Sequence, residues 1–203
     1  MTTDLFSLAG KTALVTGGNG GIGRAIALGF RGAGARVFVT GRNEAKNEAI
    51  AAELGDPAAV LPLDVRDETA VAQVVTRVLE LTSRLDILVN NAGNTSRRSA
   101  LDLDRATWQS IIETHLSGAF YCAQQAARAM IAGRAGGKII NIGSMYSLFG
   151  PPNIVAYASA KTGLLGLTRA LAVEFATHNI QVNALLPGWY ETDLTRGLLA
   201  GPA

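Results

Sequence analysis

Cysteine, charge and long apolar runs are all scarce in this sequence of 203 residues. Its single cysteine excludes a scaffold of disulfides within the chain. Only 17% of the residues are charged and the formal net charge is +2, which excludes the basic footprint of a nucleic-acid-binding protein. The longest uncharged stretch, between Lys138 and Lys161, contains asparagine, serine and proline, so it does not predict a membrane span. A lone cysteine and an N-terminus without the pattern of a signal peptide together predict a cytoplasmic protein.

Glycine and apolar residues are abundant, with 23 glycines and 48% hydrophobic residues. The apolar content argues against intrinsic disorder. Short apolar runs alternate with longer stretches of helical pattern, which predicts buried parallel strands covered by helices on both faces. The predicted strands span residues 11–16, 36–40, 58–63, 86–90, 138–143 and 180–186, and the predicted helices span residues 21–33, 43–54, 67–82, 104–132 and 155–178. We therefore expect one α/β domain over residues 1–203, built as a doubly wound parallel sheet.

Two aspartates mark predicted helix starts. Asp67 and Asp104 each precede a helical stretch, where a carboxylate can accept hydrogen bonds from the free N–H groups of the first turn. The alternative is that both are solvated surface acids.

A glycine-rich segment, residues 16–23 with the sequence Thr-Gly-Gly-Asn-Gly-Gly-Ile-Gly, follows the first predicted strand and opens a predicted helix. Gly17 would allow the sharp turn from strand to helix, and Gly21 would let the backbone approach a pyrophosphate without an intervening Cβ. Gly23 would let the helix pack closely on the strand. Because N–H groups at a helix start bind anions, the segment predicts a dinucleotide site; the alternative is a merely flexible loop.

Four further motifs follow this turn in order along the chain. They are residues 90–93 (Asn-Asn-Ala-Gly), Ser144, the Tyr-x-x-x-Lys pair of Tyr157 and Lys161, and residues 187–188 (Pro-Gly) followed by Thr192. With the Gly-x-x-x-Gly-x-Gly spacing of the turn, they resemble the short-chain dehydrogenase/reductase family from about residue 11 to residue 194. The resemblance implies a Rossmann-type sheet, a nicotinamide dinucleotide cofactor, no metal, and hydride transfer between a secondary alcohol and a ketone.

Tyr157 and Lys161 lie one helical turn apart, so both project from the same face of a predicted helix. A free tyrosine, with a pKa of about 10, is a poor base at neutral pH, and a nearby ammonium would lower that pKa. Lys161 therefore fits the role of activating Tyr157 as general acid and base, and the resemblance implies that Lys161 also bonds the nicotinamide ribose. Ser144, at the end of a predicted strand, would hold the substrate oxygen beside the phenol.

His115 departs from the family pattern, because the resemblance implies an asparagine here that holds a water in a proton relay from the lysine. A neutral imidazole both donates and accepts, so His115 could hold the same water. It could also titrate near about pH 6–7 and add a pH dependence that asparagine would not. The alternative is a packed histidine with the relay rerouted or lost.

The end of the second predicted strand indicates the preferred cofactor. Gly41 stands where NAD-specific relatives usually carry an aspartate, and Arg42 could pair with the 2′-phosphate of NADP. This favours NADP(H); if Arg42 is simply solvated, NAD(H) is the alternative. The resemblance implies that Asp64 meets the adenine amino group and that Asn90 lines the adenosine side. The other implied cofactor contacts come from the glycine turn and from loops after later strands: Asn19, Ile22, Val65, Ala92, Gly93, Pro187, Gly188, Tyr190 and Thr192.

Arg97 and Arg98 resemble residues of family members that oxidise gluconate-type sugar acids. An arginine there could clamp a substrate carboxylate; the alternative is that both are surface charges. A rival interpretation is a 3-oxoacyl-carrier-protein reductase, for which Arg128 matches one basic docking residue while Val173 stands at the other. A third is a non-catalytic nucleotide-binding protein on the same fold, against which the intact tyrosine–lysine pair argues.

Further features bear on how the chain assembles and on whether its C-terminal part is complete. Cys122 and the stripe of Leu164, Leu167 and Leu171 are expected in the core or in a subunit interface, and the resemblance implies a homodimer or homotetramer. Relatives continue further, with a lid over the substrate and another strand. We therefore expect the chain to be C-terminally incomplete, because an uncovered sixth strand would leave an open sheet edge.

Overall fold

The computed structural model describes residues 5–192, and within them the chain forms one parallel sheet flanked by helices. Its strands are β1 (Thr12–Thr16), β2 (Arg36–Gly41), β3 (Val60–Pro62), β4 (Ile87–Asn90), β5 (Gly137–Ile142) and β6 (Ile180–Leu185). Their order across the sheet is β3-β2-β1-β4-β5-β6, and adjacent strands run parallel. This is the doubly wound Rossmann arrangement that the sequence predicts.

Helices connect the strands and cover the sheet. They are α1 (Gly21–Gly32), α2 (Glu44–Leu54), α3 (Glu68–Thr82), α4 (Arg105–Ile112), α5 (Gly118–Ala132) and α6 (Val155–Phe175). α1 packs on β1 and β2, α3 packs against α5, and α6 packs on β6. The two predicted caps are confirmed, because the Ala70 N–H donates to Asp67 at 3.0 Å and the Thr107 N–H donates to Asp104 at 2.7 Å.

The centre of the sheet explains the continuous apolar runs. Leu14 of β1 lies level with Phe38 of β2 on one side and with Leu88 of β4 on the other. None of these three side chains is more than 1% exposed. Because the chain winds outward from β1 in both directions, the carboxyl ends of β1 and β4 border a crevice, which is where sheets of this type bind ligands.

The helix predicted over residues 104–132 is interrupted. α4 ends at Ile112, a π-helical turn spans Glu113–Ser117, and α5 then begins. The Thr114 hydroxyl donates to the Ser110 carbonyl at 2.7 Å, and Thr114 and His115 are both buried in this turn. A π turn holds an extra residue, so it changes the direction in which the side chains of the helix point.

Smaller departures lie at element ends. The third strand is shorter than predicted, since Pro57–Ala59 form a 3₁₀ turn before it, and the last helix ends at Phe175 before another 3₁₀ turn, Ala176–His178. Cys122, Leu164 and Leu171 are buried within the chain itself, and Leu167 packs partly buried against the same core. The expected loss of a lid and last strand concerns positions outside the described residues. Within residues 5–192, no helix is both long enough and apolar enough to cross a membrane.

Candidate active site

An open cleft of about 460 Å³ lies at the carboxyl ends of the strands. It is formed by the glycine turn, the loop after β4, the end of β5, the start of α6 and the loop after β6. The predicted site residues that line it are Gly17, Asn19, Gly21, Ile22, Gly93, His115, Ser144, Tyr157, Lys161, Pro187, Gly188, Tyr190 and Thr192. The fold therefore brings together residues that are up to 175 positions apart, from Gly17 to Thr192.

The glycine turn is built so that backbone can approach a ligand. Gly17 and Gly21 have φ angles of 63° and 50°, in the left-handed region that glycine tolerates. A Cβ on Gly17 would lie 2.9 Å from the Cα of Ala92, and one on Gly23 would overlap the Asn91 side chain and the Gly17 carbonyl. No side chain among the described residues caps the start of α1, so its first N–H groups can receive an anion. This cradle fits the pyrophosphate of a dinucleotide.

Asn91 fixes the shape of that turn. Its Nδ2 donates to the carbonyls of Thr16 and Gly17, at 3.0 Å each, and its backbone N–H donates to the Thr16 hydroxyl at 3.0 Å. In the sequence, Asn91 stands out only as a member of the Asn-Asn-Ala-Gly motif, with no role of its own. The structure makes it the clamp between the glycine turn and the loop after β4.

Ser144, Tyr157 and Lys161 meet on one side of the cleft. Ser144 follows β5; its Oγ accepts from the Tyr146 N–H at 3.2 Å, and its side chain is also hydrogen-bonded to Tyr157. Lys161 is 4% exposed and donates from Nζ to the Ile142 carbonyl at 2.5 Å. The same Nζ lies 5.6 Å from the centroid of the Tyr157 ring.

The acid–base character of Tyr157 and Lys161 differs from what the sequence predicts. Burial raises the pKa of Tyr157 above its usual range, with a hydrogen bond from Ser144 acting in the opposite direction. Burial also lowers the pKa of Lys161 to about 7. The expected lowering of the Tyr157 pKa is therefore wrong for this structure, because desolvation of the phenolate is the largest effect and the charge of Tyr146 acts in the same direction. Tyr157 is a neutral phenol, which suits donation of a proton.

His115 lies against Tyr157 and the loop after β4. Its Nε2 is 2.7 Å from the Asn94 carbonyl oxygen, and its ring meets the Tyr157 ring edge-on with centroids 5.1 Å apart. Burial, followed by the charge of Lys161, lowers the pKa of His115 to about 3. The suggestion that His115 titrates near neutrality is therefore wrong, and the imidazole is neutral at physiological pH.

A second, internal void of about 10 Å³ lies beneath this cleft, lined in part by Val65, Asn90, Ala92, His115 and Lys161. Two buried polar atoms of these residues, Asn90 Oδ1 and His115 Nδ1, have no hydrogen-bond partner among the described residues. Asn90 Nδ2 donates to the Ala119 carbonyl at 3.0 Å and to Asn141 at 2.9 Å. The structure thus places Asn90 under the site and not on the wall of the main cleft.

Charged residues surround the strand ends on the other side of the cleft. Arg66 makes a paired contact with Asp64, with Nη2 to Oδ2 at 2.6 Å, and Arg42 lies 3.5 Å from the same carboxylate. The hydrogen bond from Arg66 lowers the pKa of Asp64 to about 2. Arg42 and Asp64 stand outside the main cleft lining, at its border beside Gly41.

The structure separates Arg97 from Arg98. Arg98 is bound on the surface to Asp104, with Nη1 to Oδ2 at 2.8 Å, while Arg97 lines the cleft. No described residue forms an ion pair with Arg97.

Near the mouth of the cleft, Trp189 packs edge-on to Tyr146 with ring centroids 5.9 Å apart. No group of metal-ligating side chains occurs in the described part of the chain.

Comparison with known proteins finds similarity to dehydrogenases and reductases. Residues 11–202 match the short chain dehydrogenase family. The chain is 41% identical over 189 residues to the Escherichia coli 3-oxoacyl-[acyl-carrier-protein] reductase, covering 93% of this chain and 77% of that protein. It is 38% identical over 203 residues to the Escherichia coli 2-dehydro-3-deoxy-D-gluconate 5-dehydrogenase, covering 98% and 79%. A Beutenbergia cavernae protein assigned as an NAD(P)-dependent gluconate 5-dehydrogenase, whose structure holds NADP at low occupancy, superposes with a TM-score of 0.88 at 40% identity, covering 96% and 78%.

Proposed function

The chain belongs to the short-chain dehydrogenase/reductase family of oxidoreductases, and from that premise we propose that it interconverts a secondary alcohol and a ketone, with Tyr157 as general acid and base. The observation that carries this proposal is the convergence of Ser144, Tyr157 and Lys161 on one cleft beside a pyrophosphate cradle. A bound nicotinamide dinucleotide would supply or accept the hydride. Gly17, Gly21 and the first N–H groups of α1 would hold its phosphates.

The three polar side chains divide the work at the substrate oxygen. The Ser144 side chain, which is hydrogen-bonded to Tyr157 in this structure, would donate its O–H to the substrate oxygen and hold that oxygen beside the phenol. The Tyr157 phenol, kept neutral by burial, donates its proton to the carbonyl oxygen during reduction. In the oxidative direction the phenol must first lose its proton, and the phenolate oxygen then takes the proton of the alcohol hydroxyl. Lys161, held by the Ile142 carbonyl, positions an amine beside the phenol and the expected ribose.

His115 acts on the site as a neutral group. Nε2 lies 2.7 Å from the Asn94 carbonyl oxygen and 3.1 Å from the Asn94 backbone nitrogen, and the shorter contact favours a proton on Nε2 that is donated to the carbonyl. Nδ1 is then left as an acceptor toward the internal void that Lys161 also lines. That arrangement supports the role of holding a water next to Lys161, in place of the family asparagine. It does not depend on protonation of the imidazole.

NADP(H) is the cofactor that the strand end favours. Gly41 offers no acid for a free 2′-hydroxyl, and Arg42 stands next to it with its guanidinium exposed. A phosphate dianion is a stronger partner for Arg42 than the shared Asp64 carboxylate, which Arg66 already neutralises. Bound NADP in the Beutenbergia cavernae relative is consistent with this preference.

For the substrate, Arg97 favours a sugar acid. Its side chain lines the cleft without an ion-pair partner among the described residues, as a carboxylate clamp requires. The second candidate is reduction of a 3-oxoacyl group on a carrier protein, supported by the similarity to the Escherichia coli reductase and by exposed Arg128 on α5. Val173, which is 79% exposed on α6, offers no charge to an acidic carrier at the second docking position.

The deciding experiment follows NADPH and NADH absorbance with a panel of keto and hydroxy sugar acids, neutral sugars and a 3-oxoacyl thioester. We expect turnover of a sugar acid with NADP(H); preferred turnover of the thioester would establish the second candidate. Tyr157→Phe should abolish most turnover, by about 100-fold or more, and leave dinucleotide binding intact. Tyr121→Phe is the matched control, since Tyr121 lies on α5 and packs against the core outside the cleft. Cofactor binding without turnover of any substrate would instead indicate a non-catalytic protein.

We also propose that the chain forms a homodimer or homotetramer. The support is the family itself, in which such assemblies are common, together with the exposed apolar side chains of Phe120 on α5 and Val173 on α6. Light scattering on the purified protein tests the proposal, and a monomeric mass at micromolar concentration would contradict it.

A further inference from the structure

Two asparagines, Asn19 and Asn47, pack against the end of β2 next to the cleft. Gly41 is the last residue of β2, and a Cβ placed there would overlap the side-chain amide of Asn19. Asn19 belongs to the glycine turn and lines the cleft. The space beside Gly41 is thus filled by a side chain from another segment, at the position where the strand end faces the expected adenosine ribose.

Asn19 is held in that position by Asn47, a buried residue of α2 that is 8% exposed. Asn47 Nδ2 donates to the Gly41 carbonyl at 3.1 Å, and Asn47 Oδ1 accepts from Asn19 Nδ2 at 2.8 Å. Since a carbonyl can only accept, the Gly41 contact fixes which end of the Asn47 amide is nitrogen. That in turn requires Asn19 to present Nδ2 to Asn47.

Asn19 retains one N–H donor for a ligand. One of its two Nδ2 hydrogens is used by Asn47, so a second N–H remains for a ligand in the cleft. Arg42 follows Gly41 directly and brings a guanidinium to the same strand end. The carboxylate beside these two donors, Asp64, is already paired with Arg66. The two donors therefore suit a phosphate on the ribose better than a hydroxyl, because hydrogen bonds to an anion are the stronger ones.

We propose that Asn47 is a positioning residue that sets cofactor specificity: by holding Asn19 over Gly41, it aims an N–H donor at the ribose 2′-phosphate and excludes an acidic side chain from the strand end. The inference rests on the proposed use of a nicotinamide dinucleotide, and it is independent of which substrate is reduced. Nothing in the sequence pattern of α2 distinguishes Asn47, so only the contact with Gly41 reveals it.

A binding measurement tests this role without relying on catalysis. Isothermal titration of NADP⁺, NAD⁺ and adenosine 2′,5′-bisphosphate compares the wild type with Asn47→Ala, Asn19→Ala and the double variant. We expect Asn47→Ala to weaken the binding of NADP⁺ and of the bisphosphate by about 10- to 100-fold, the worth of one hydrogen bond to a charged group, and to weaken the binding of NAD⁺ less. In the Asn19→Ala background the effect of Asn47→Ala should disappear, because Asn47 acts through Asn19. Glu48→Ala, at the exposed neighbouring position of α2, is the control.

Changes at Gly41 test the same contact from the other side, should Asn47→Ala fold poorly. Gly41→Ala leaves Asn47 untouched but displaces Asn19, so it should reproduce the loss seen in Asn19→Ala. Gly41→Asp alone should lose NADP⁺ without gaining NAD⁺, whereas Gly41→Asp combined with Asn19→Gly makes room for the acid and should gain NAD⁺.

The outcomes separate this inference from the proposed function. A wild type that binds none of the three nucleotides overturns both. A wild type that binds NADP⁺, with Asn47→Ala binding it equally well, overturns only the role of Asn47. Additive losses in the double variant, or an equal gain of NAD⁺ by Gly41→Asp with and without Asn19→Gly, would also overturn it, since Asn19 would then not be the residue through which Asn47 acts.

Discussion

His115 meets the ring of Tyr157 edge-on, with the centroids 5.1 Å apart and the planes 83° apart. The π-helical turn Glu113–Ser117 brings the imidazole to this position. A Cβ on Gly93 would overlap its Cε1, so the glycine of the Asn-Asn-Ala-Gly motif is also what makes room for it. His115 thereby ties the loop after β4 to the tyrosine expected to carry the proton.

The neutral state of His115 can be observed directly. Because burial lowers its pKa to about 3, the imidazole should stay neutral from about pH 4.5 to 8, with the proton on Nε2 facing the Asn94 carbonyl. Two-dimensional ¹H–¹⁵N spectra of the imidazole nitrogens report both the charge and the tautomer. The sequence has only two histidines, so His178→Gln assigns the remaining signal. A His115 titration with a midpoint above about pH 5 would contradict this, and so would a shift in the acid limb of kcat/KM in His115→Asn.

Lys161 should make folding stability depend on pH. Burial lowers its pKa from 10.5 to about 7, so between these values the unfolded chain holds a proton that the folded protein has released. Stability should therefore rise as the pH rises from about 7 to 10.5, and below pH 7 the folded protein bears the full cost of a buried ammonium. Lys161→Met should be more stable than the wild type at pH 6, by on the order of 2 kcal/mol after the loss of the bond to Ile142.

Melting temperatures measured from pH 6 to 10 check this prediction. The gap between Lys161→Met and the wild type should close as the pH rises. Lys138→Met removes the same charge from an exposed position on β5 and should change Tm much less. Melting curves that stay a constant distance apart across this range would show that Lys161 is not desolvated as described.

Arg97 and Arg98 form a matched pair for testing substrate charge. Arg97→Ala should raise KM for sugar acids by about 10- to 100-fold and leave neutral sugars unaffected, because it removes a charge-assisted bond to a carboxylate. Arg98→Ala removes the surface contact with Asp104 and should leave KM unchanged, with only a small change in Tm. Steady-state kinetics on both classes of sugar decide the matter. Equal effects of the two variants would remove Arg97 from the substrate site.

Gly23 and Gly29 lie on the same helix but should respond oppositely to alanine. A Cβ on Gly23 would overlap Asn91 and the Gly17 carbonyl, whereas one on Gly29 meets nothing within 4 Å. Gly29→Ala should stabilise the fold by about 0.5–1 kcal/mol through helix propensity. Gly23→Ala should destabilise it by about 1–3 kcal/mol and weaken dinucleotide binding, because the turn must shift. Urea titrations measure the free energy of unfolding, and titration with NADP⁺ measures dinucleotide binding. If Gly23→Ala changed neither quantity, the turn and Asn91 would be able to shift at little cost.

Much of the fold could be predicted from local signals. Apolar runs located all six strands, since a strand buried on both faces carries no alternation, and Asp67 and Asp104 marked helix starts because capping depends on one side chain and its own next turn. The π turn could not be predicted, because it depends on the burial of Thr114 and His115 against the rest of the molecule. Motif spacing likewise identified Ser144, Tyr157 and Lys161, while Asn47 carried no signal at all.

The sequence by itself determined the order of strands and helices along the chain, the glycine turn and the residues that we propose for proton transfer, because each depends on residue type and short-range spacing. Only the tertiary structure decided their chemical states. Desolvation raised the pKa of Tyr157, brought that of Lys161 to about 7 and kept His115 neutral, and these effects depend on how many atoms of distant segments surround each group. The tertiary structure also decided that Arg97 faces the cleft while Arg98 faces Asp104, since adjacent residues of an irregular loop follow no fixed periodicity.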